Sequence, residues 1–146
     1  MKDRIRVLET YNIEKSTPTE ITEICWSVWK KFNYMNCYFF VDGSSAATVN
    51  TLKQRWQESL SWPKQTTFGP NTKIRPVNFS TEHRNMLSNL HNVITKSYLA
   101  IETKHDELLT SLRTAYAEEL NLKKEQTSFN DLLDALRLSL KGYQIE

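Results

Sequence analysis

The sequence predicts a single domain of the α/β class, residues 1–146, built around a mostly parallel sheet. Strand-like and helix-like segments follow one another as strand–helix–strand–helix–strand, and several helices come after them. This order is typical of a parallel sheet with helical crossovers. A length of 146 residues suits one domain with a buried core, and 39% hydrophobic and 25% charged residues are ordinary for a globular protein.

The chain opens with a predicted strand and a predicted helix. Apolar residues alternate along residues 4–13, which predicts a strand with one exposed face; they are Ile5, Val7, Tyr11 and Ile13. The helix begins where Thr17 caps it, Pro18 takes the first helical position and Glu20 completes a capping box. Its apolar stripe consists of Ile21, Ile24, Cys25, Val28, Trp29 and Phe32.

A second strand–helix–strand run follows. Residues 37–41 are apolar or aromatic without interruption, which favours a central strand covered on both faces. The helix after this strand carries an apolar stripe formed by Val49, Leu52, Trp56 and Leu60. Turn-forming residues fill 61–73, and residues 73–80 predict a short strand, although Pro76 cannot donate a hydrogen bond to a sheet.

Three further helices are predicted in the C-terminal half. The third helix opens at Ser80 or Thr81 and the last at Ser128 or Asn130, because these side chains can cap a helix. The third is expected to turn inward Met86, Leu87, Leu90, Val93 and Ile94. The fourth spans about residues 106–120 and is expected to turn inward Leu108, Leu109, Leu112, Ala115, Tyr116 and Leu120.

Composition argues against several classes of protein. The net charge of +2 gives no overall signal for nucleic-acid binding, and no G-x-x-x-x-G-K-[ST] motif for an ATPase occurs. Cys25 and Cys37 form no C-x-x-C pair, which fits a reducing, cytoplasmic location. No apolar run reaches the roughly 18 residues of a membrane span, and the N-terminus lacks the apolar stretch of a signal peptide.

Asp42 is the first candidate functional residue. It directly follows the predicted central strand, and parallel α/β sheets bind ligands beyond the carboxyl ends of their strands. Gly43 allows a sharp turn, and Ser44 or Ser45 can cap the next helix. A carboxylate there would be held rigidly, as a metal ligand must be. The alternative is that Asp42 only stabilises the turn, a frequent role of Asp before Gly or Ser.

Two further carboxylates lie on the last helix. Asp131 and Asp134 share a face, although Asp131 also suits the first turn of any helix. Asp134 lies beside the apolar stripe, where a carboxylate is unfavourable unless it is paired or bound to a cation. Oxygen ligands without a His or Cys cluster suit Mg²⁺ or Mn²⁺. We therefore predict that Asp42 and Asp134 approach each other and hold divalent ions for phosphodiester hydrolysis. Three histidines lack metal-site spacing and are expected on the surface: His83, His91 and His105.

Two segments together resemble the C-terminal nuclease domain of viral large terminase subunits: YFFVDGSSAATVNTLK and SFNDLLDALRLSL. The middle of the chain is similar as well, in KIRPVNFSTEHRNMLSNL and AIETKHDELLTSLRTA. The resemblance covers about residues 5–143; the D-x-x-D-A segment is more specific than the D-G-S-S turn, and their order and spacing carry it. It implies a ribonuclease H-like mixed sheet flanked by helices, and a metal-dependent endonuclease that cuts concatemeric viral DNA during genome packaging.

The resemblance also implies roles for single residues. Asp42 corresponds to the acidic metal ligand at the end of the family's fourth strand, and Asp134 to its last acidic ligand, on the C-terminal helix. Asp131 corresponds to a neighbouring position that often helps at the site. The implied cofactor is Mg²⁺ or Mn²⁺ in a two-metal site. The implied partners are double-stranded DNA, the terminase ATPase portion and other packaging proteins inside the host cell, with no membrane.

The chain departs from the family on its N-terminal side. The family's first catalytic Asp lies on a strand upstream of the segment that resembles residues 5–13, and Asp3 does not correspond to it. We therefore expect an N-terminally incomplete nuclease domain without its first two strands and without the ATPase portion. Uncovered strand edges would favour an oligomer or a partner. The alternative is a non-catalytic module or remnant with the same fold, for docking DNA or for binding another protein.

Overall fold

In the computed structural model the chain forms two compact units. The contiguous unit is Ile13–Phe79, and the split unit combines Met1–Asn12 with Ser80–Glu146. The structure describes residues 5–14, 16–33, 37–58, 74–115, 117–118, 121–123 and 126–143. The fold is mixed α/β with small parallel strand pairs, which confirms the predicted class at this level. Among the described residues, no helix is both long and apolar enough to cross a membrane.

The elements follow the chain as a mixture of short strands and longer helices. The strands are β1 (Ile5–Arg6), β2 (Phe39–Asp42), β3 (Ile74–Val77), β4 (Leu99–Ala100), β5 (Ala117–Glu118) and β6 (Asn121–Leu122). The helices are α1 (Pro18–Lys31), α2 (Ala46–Glu58), α3 (Phe79–Thr95), α4 (Asp106–Thr114) and α5 (Asn130–Ser139), with a 3₁₀ turn at Leu140–Gly142. Strand β2 pairs with β3 and β1 with β4, both in parallel, whereas β5 and β6 are antiparallel.

The core of the contiguous unit joins α1 and α2 to one face of the β2–β3 pair. Its buried residues are Trp29, Val49, Leu52, Trp56 and Ile74, and Phe39 and Val41 pack against them. The Trp56 ring lies with its centroid 4.9 Å from that of Phe39 and 5.5 Å from that of Trp29. Such aromatic contacts add to the stabilisation from apolar burial. The predicted stripe of the second helix is confirmed at its first three positions, and Leu60 lies outside the described residues.

Two local predictions in the contiguous unit are confirmed. Thr17 caps α1, because its Oγ1 accepts a hydrogen bond from the Glu20 N–H at 3.2 Å, and Pro18 occupies the first turn. Strand β3 contains Pro76 opposite Val41. Within the described residues β3 pairs with β2 alone, so a residue without an N–H is tolerated at this edge. The central position of β2 in a larger sheet stays a prediction.

The core of the split unit consists of leucines from four regions of the chain. The buried residues are Leu90, Leu108, Leu122, Leu132, Leu133, Leu136 and Leu140. Ile5, Val7 and Leu99 pack against this cluster, so the β1–β4 pair joins the same core as the helices. The C-terminal turn is tied to α3, since Asn89 Nδ2 donates to the Tyr143 carbonyl at 2.9 Å and Lys141 Nζ to Glu82 Oε2 at 3.0 Å. These contacts fix the C-terminal turn against α3.

The predicted strand at residues 4–13 is wrong beyond its first residues. Strand β1 comprises Ile5–Arg6, and the Val7 N–H still donates to the Ala100 carbonyl at 3.1 Å. Its partner β4 has two residues, so the ladder ends there. Tyr11 and Ile13 are 49% and 48% exposed, and alternation alone does not make a strand without a partner.

The predicted bounds of the later helices also need correction. Helix α4 ends at Thr114 because Ala115 has extended backbone angles (φ −58°, ψ 128°), and the chain continues into β5 rather than to residue 120. The expected inward residues Tyr116 and Leu120 lie outside the described residues, and Ile94 is 46% exposed instead of buried. Helix α5 follows Phe129, which makes no side-chain cap.

Candidate metal centre

Asp42 ends β2, and its carboxylate is held by the turn that follows. Its Oδ1 accepts hydrogen bonds from the Ser44 N–H at 3.0 Å and from the Ser44 hydroxyl at 2.9 Å. Within the described part of the chain no donor contacts Oδ2. The turn also passes close to β3: the Gly43 N–H donates to the Val77 carbonyl at 2.7 Å, and a Cβ at Gly43 would lie 3.0 Å from that oxygen. The turn therefore favours glycine and presents one oxygen of the half-buried Asp42.

Asp134 is paired with a buried cation of its own helix. Arg137 Nη2 donates to Asp134 Oδ1 at 2.5 Å, and the side chains are 0% and 15% exposed, respectively. The sequence left two explanations for a carboxylate beside the leucine stripe, a paired charge or a bound ion. The guanidinium supplies the first of these, so the position of Asp134 does not by itself require a metal.

Arg137 is held in turn by His83 on α3. Its Nη1 lies 3.1 Å from His83 Nδ1 and 3.4 Å from the His83 carbonyl oxygen. The Leu122 N–H approaches His83 Nε2 at 3.3 Å. A neutral imidazole accepts at one nitrogen only, so these two donors compete. Hydrogen bonds from a charged donor are the stronger ones, which assigns the lone pair to Nδ1 and the proton to Nε2.

Asp131 lies apart from this network. It is exposed in the first turn of α5, where a negative charge interacts favourably with the helix dipole. Its place three residues before Asp134 puts both on neighbouring surface of α5. The dipole accounts for Asp131 without a metal.

The two predicted ligands belong to different units. Asp42 lies in the contiguous unit and Asp134 in the split unit, and each unit is described by itself. Their approach to each other therefore stays a prediction. Across the residues that the structure describes, no group of three or more His, Cys, Asp or Glu side chains gathers as a metal site would require.

The sequence interpretation did not include the partners of Asp134. Arg137 follows it by three residues, a spacing that allows an ion pair on a helix and was a usable signal. His83 lies 54 positions from Arg137, and no local pattern indicates that contact. The expected surface position is also wrong for His105, which is 7% exposed and lies 3.1 Å from Thr10 Oγ1 through Nδ1.

Comparison with protein-family models, with curated protein sequences and with solved structures finds no match. The support for the fold class and for the local geometry at Asp42 and Asp134 therefore comes from the residues of this chain and their contacts alone. The implied family and its chemistry rest on the sequence resemblance.

Proposed function

We propose that this chain is part of the metal-dependent DNA endonuclease domain of a viral genome-packaging terminase, with a ribonuclease H-like fold. The observation that carries the proposal is the placement of Asp42. Its carboxylate ends the first strand of a parallel β–α–β arrangement, at the edge where such sheets bind ligands. The Ser44 contacts orient it through Oδ1 and leave Oδ2 available to a cation.

Carboxylate oxygens are the type of ligand that Mg²⁺ and Mn²⁺ prefer, because these hard cations bind oxygen. When bound, such ions supply an activated water and stabilise charge on the phosphate during hydrolysis. In the proposal, Asp42 ligates through Oδ2, Asp134 contributes from α5, and Asp131 assists beside it. The proposed partners are double-stranded DNA, the ATPase portion and other packaging proteins inside the host cell.

The test is Mn²⁺ binding by electron paramagnetic resonance, with plasmid nicking as a second readout. We expect Asp42→Asn to weaken Mn²⁺ binding at least about tenfold, because it removes a charged ligand at unchanged size. Asp106→Asn is the matched control, since Asp106 is an exposed carboxylate in the first turn of α4. Equal Mn²⁺ affinities for wild type and Asp42→Asn, or nicking that persists in Asp42→Asn, would refute the site.

A second function is favoured by the ion pair at Asp134. Because Arg137 already neutralises this carboxylate, the charge of Asp134 has a partner without a metal ion, as a non-catalytic module would need. Such a module would dock DNA or another protein. DNA binding that is unaffected by Mn²⁺ and by Asp42→Asn would support this function over the nuclease.

A further inference from the structure

We propose that one face of the β2–β3 pair binds single-stranded DNA by stacking its bases on aromatic rings. The face consists of Tyr38, Phe40 and Arg75, and we call it the aromatic face. The choice of DNA over another nucleic acid rests on the proposed function, whereas the stacking surface does not depend on a metal site.

The aromatic face lies on the side of the strand pair opposite the buried core. Phe39 and Val41 pack against that core, and side chains alternate along a strand, so Phe40 projects from the other side. Tyr38 joins it there, and the two ring centroids are 6.4 Å apart. Tyr38 is 46% exposed, although the solvent side of a strand usually carries polar residues. Neighbouring aromatic rings at such a place indicate a binding surface.

Arg75 adds a positive charge to this face. The strand register pairs Arg75 with Phe40, and the central carbon of its guanidinium lies 4.1 Å from the centroid of the Tyr38 ring. Arg75 is exposed, and the attraction between its charge and the ring holds it in place. Val77, further along β3, is 6% exposed, so the open part of the face is the end that carries Tyr38 and Arg75. Two rings and a cation are therefore assembled before a partner binds.

The rings and the charge together fit single-stranded nucleic acid. Every base has an aromatic face that can stack on Tyr38 or Phe40, and the phosphate backbone is complementary in charge to Arg75. An apolar protein surface would instead remove the guanidinium from water without offering it an anion. In a duplex the neighbouring bases cover each other, so stacking on the rings requires unpaired bases. The aromatic face therefore favours a single strand over a duplex.

The same side of β2 carries the candidate ligand Asp42. Tyr38, Phe40 and Asp42 occupy alternate positions, and alternate side chains of a strand point to the same side. A DNA strand held on the two rings thus lies along the side of the sheet that presents the Asp42 carboxylate. The aromatic face would bring the substrate to the candidate site without touching the ion.

The test is fluorescence anisotropy of a labelled oligothymidylate of about 16 nucleotides, titrated with the full chain in the presence of a chelator. We expect Tyr38→Ala and Tyr38→Leu to weaken binding at least about fivefold, because each removes the stacking ring. Tyr38→Phe keeps the ring and should bind within about twofold of wild type. Tyr143→Ala is the matched control, because Tyr143 is 55% exposed in the split unit, and it should bind like wild type.

Salt dependence separates stacking from charge. Arg75→Gln should lower the slope of log affinity against log salt by about 0.7, the value for one phosphate contact on a single strand, whereas Tyr38→Ala should leave the slope unchanged. Arg113→Gln is the control for the loss of one positive charge, because Arg113 is exposed on α4. Urea unfolding followed by Trp fluorescence verifies that each variant is folded. Should Tyr38→Ala fail to fold, Tyr38→Leu, which retains an apolar side chain, still decides the question.

Three results would overturn the inference. They are wild-type affinity in the folded Tyr38→Ala and Tyr38→Leu variants, equally tight binding of the same oligonucleotide hybridised to its complement, and absence of binding by the wild-type chain. Because the chelator removes divalent ions, none of these results bears on Mn²⁺ binding at Asp42. The electron paramagnetic resonance experiment decides that site separately.

Discussion

Replacing Arg137 by methionine should destabilise the split unit through the charge that it leaves behind. The guanidinium is fully buried, and Asp134 is 15% exposed, so water screens the remaining carboxylate only in part. Removing one partner of a buried pair costs about 3–5 kcal/mol, and the partial exposure of Asp134 favours about 3 kcal/mol. In a chain of this length that corresponds to a fall in melting temperature of about 10 °C.

The double variant Arg137→Met/Asp134→Leu makes the prediction specific. A buried ion pair replaced by apolar side chains of similar volume is often neutral for stability, so we expect a change within about 1 kcal/mol of wild type. The single variant Asp134→Leu, which leaves the guanidinium uncompensated, should again cost about 3 kcal/mol. The two single costs together should therefore exceed the cost of the double variant by about 5 kcal/mol, which is the expected coupling between the two sites.

Urea unfolding followed by two signals provides the assay. Trp26, Trp29 and Trp56 lie in the contiguous unit, and position 62 falls within its sequence range, so Trp fluorescence reports on that unit. Circular dichroism reports on both units. Additive effects of the two single variants in the dichroism transition would refute the argument, because they would show that the charges do not depend on each other.

Three other predictions concern single side chains. Leu52 is 1% exposed, so Leu52→Asp should lower the free energy of unfolding by at least about 3 kcal/mol in Trp-monitored urea unfolding. Lys53→Asp, at a half-buried position, should lower it by less than about 1 kcal/mol. Equal unfolding midpoints for the two variants would show that the buried face is wrongly assigned. Phe129 is 42% exposed and has left-handed backbone angles (φ 51°, ψ 45°). Asn tolerates this conformation better than Ala, so Phe129→Asn should be about 1 kcal/mol more stable than Phe129→Ala. An Asn variant no more stable than the Ala variant would contradict this. Burial, with a smaller contribution from Cys37, raises the pKa of Cys25 to about 11. The reactive thiolate is therefore scarce below that pH, so iodoacetamide should label Cys25 slowly at about pH 8 and faster as the pH approaches 11. Rapid labelling at about pH 8, measured by mass spectrometry, would contradict the burial of Cys25.

The elements that the sequence predicted well are those with local causes. Helix α1 has its cap and its proline within one stretch of chain, and the structure confirms both; of its predicted apolar stripe, Trp29 is buried and the other positions are half-buried. The end of α4 was missed because the apolar stripe runs on past Thr114, while pairing of β5 with β6 takes the next residues out of the helix. Strand β4 was missed because two residues carry too little pattern to recognise.

At the candidate site the sequence indicated the carboxylates but not their environment. The turn at Asp42 follows from Asp, Gly and Ser in a row, and its hydrogen bonds to Ser44 are those that such residues make locally. The pairing of Asp134 depends on whether Arg137 points inward. That orientation is decided by its contact with α3, which spacing along α5 does not reveal.

The order of the two units along the chain has a consequence for synthesis on the ribosome. The contiguous unit is complete in sequence at Phe79, and its strands pair residues 35 positions apart (74 − 39). Ile5 pairs with Leu99, 94 positions later (99 − 5), and closing that longer loop costs about 0.9 kcal/mol more chain entropy. We expect the contiguous unit to fold first, with Trp fluorescence recovering before the full dichroism signal in stopped-flow refolding; simultaneous recovery would contradict this. Strand β1, which is synthesised before the contiguous unit, would then pair with β4 only after that unit is complete.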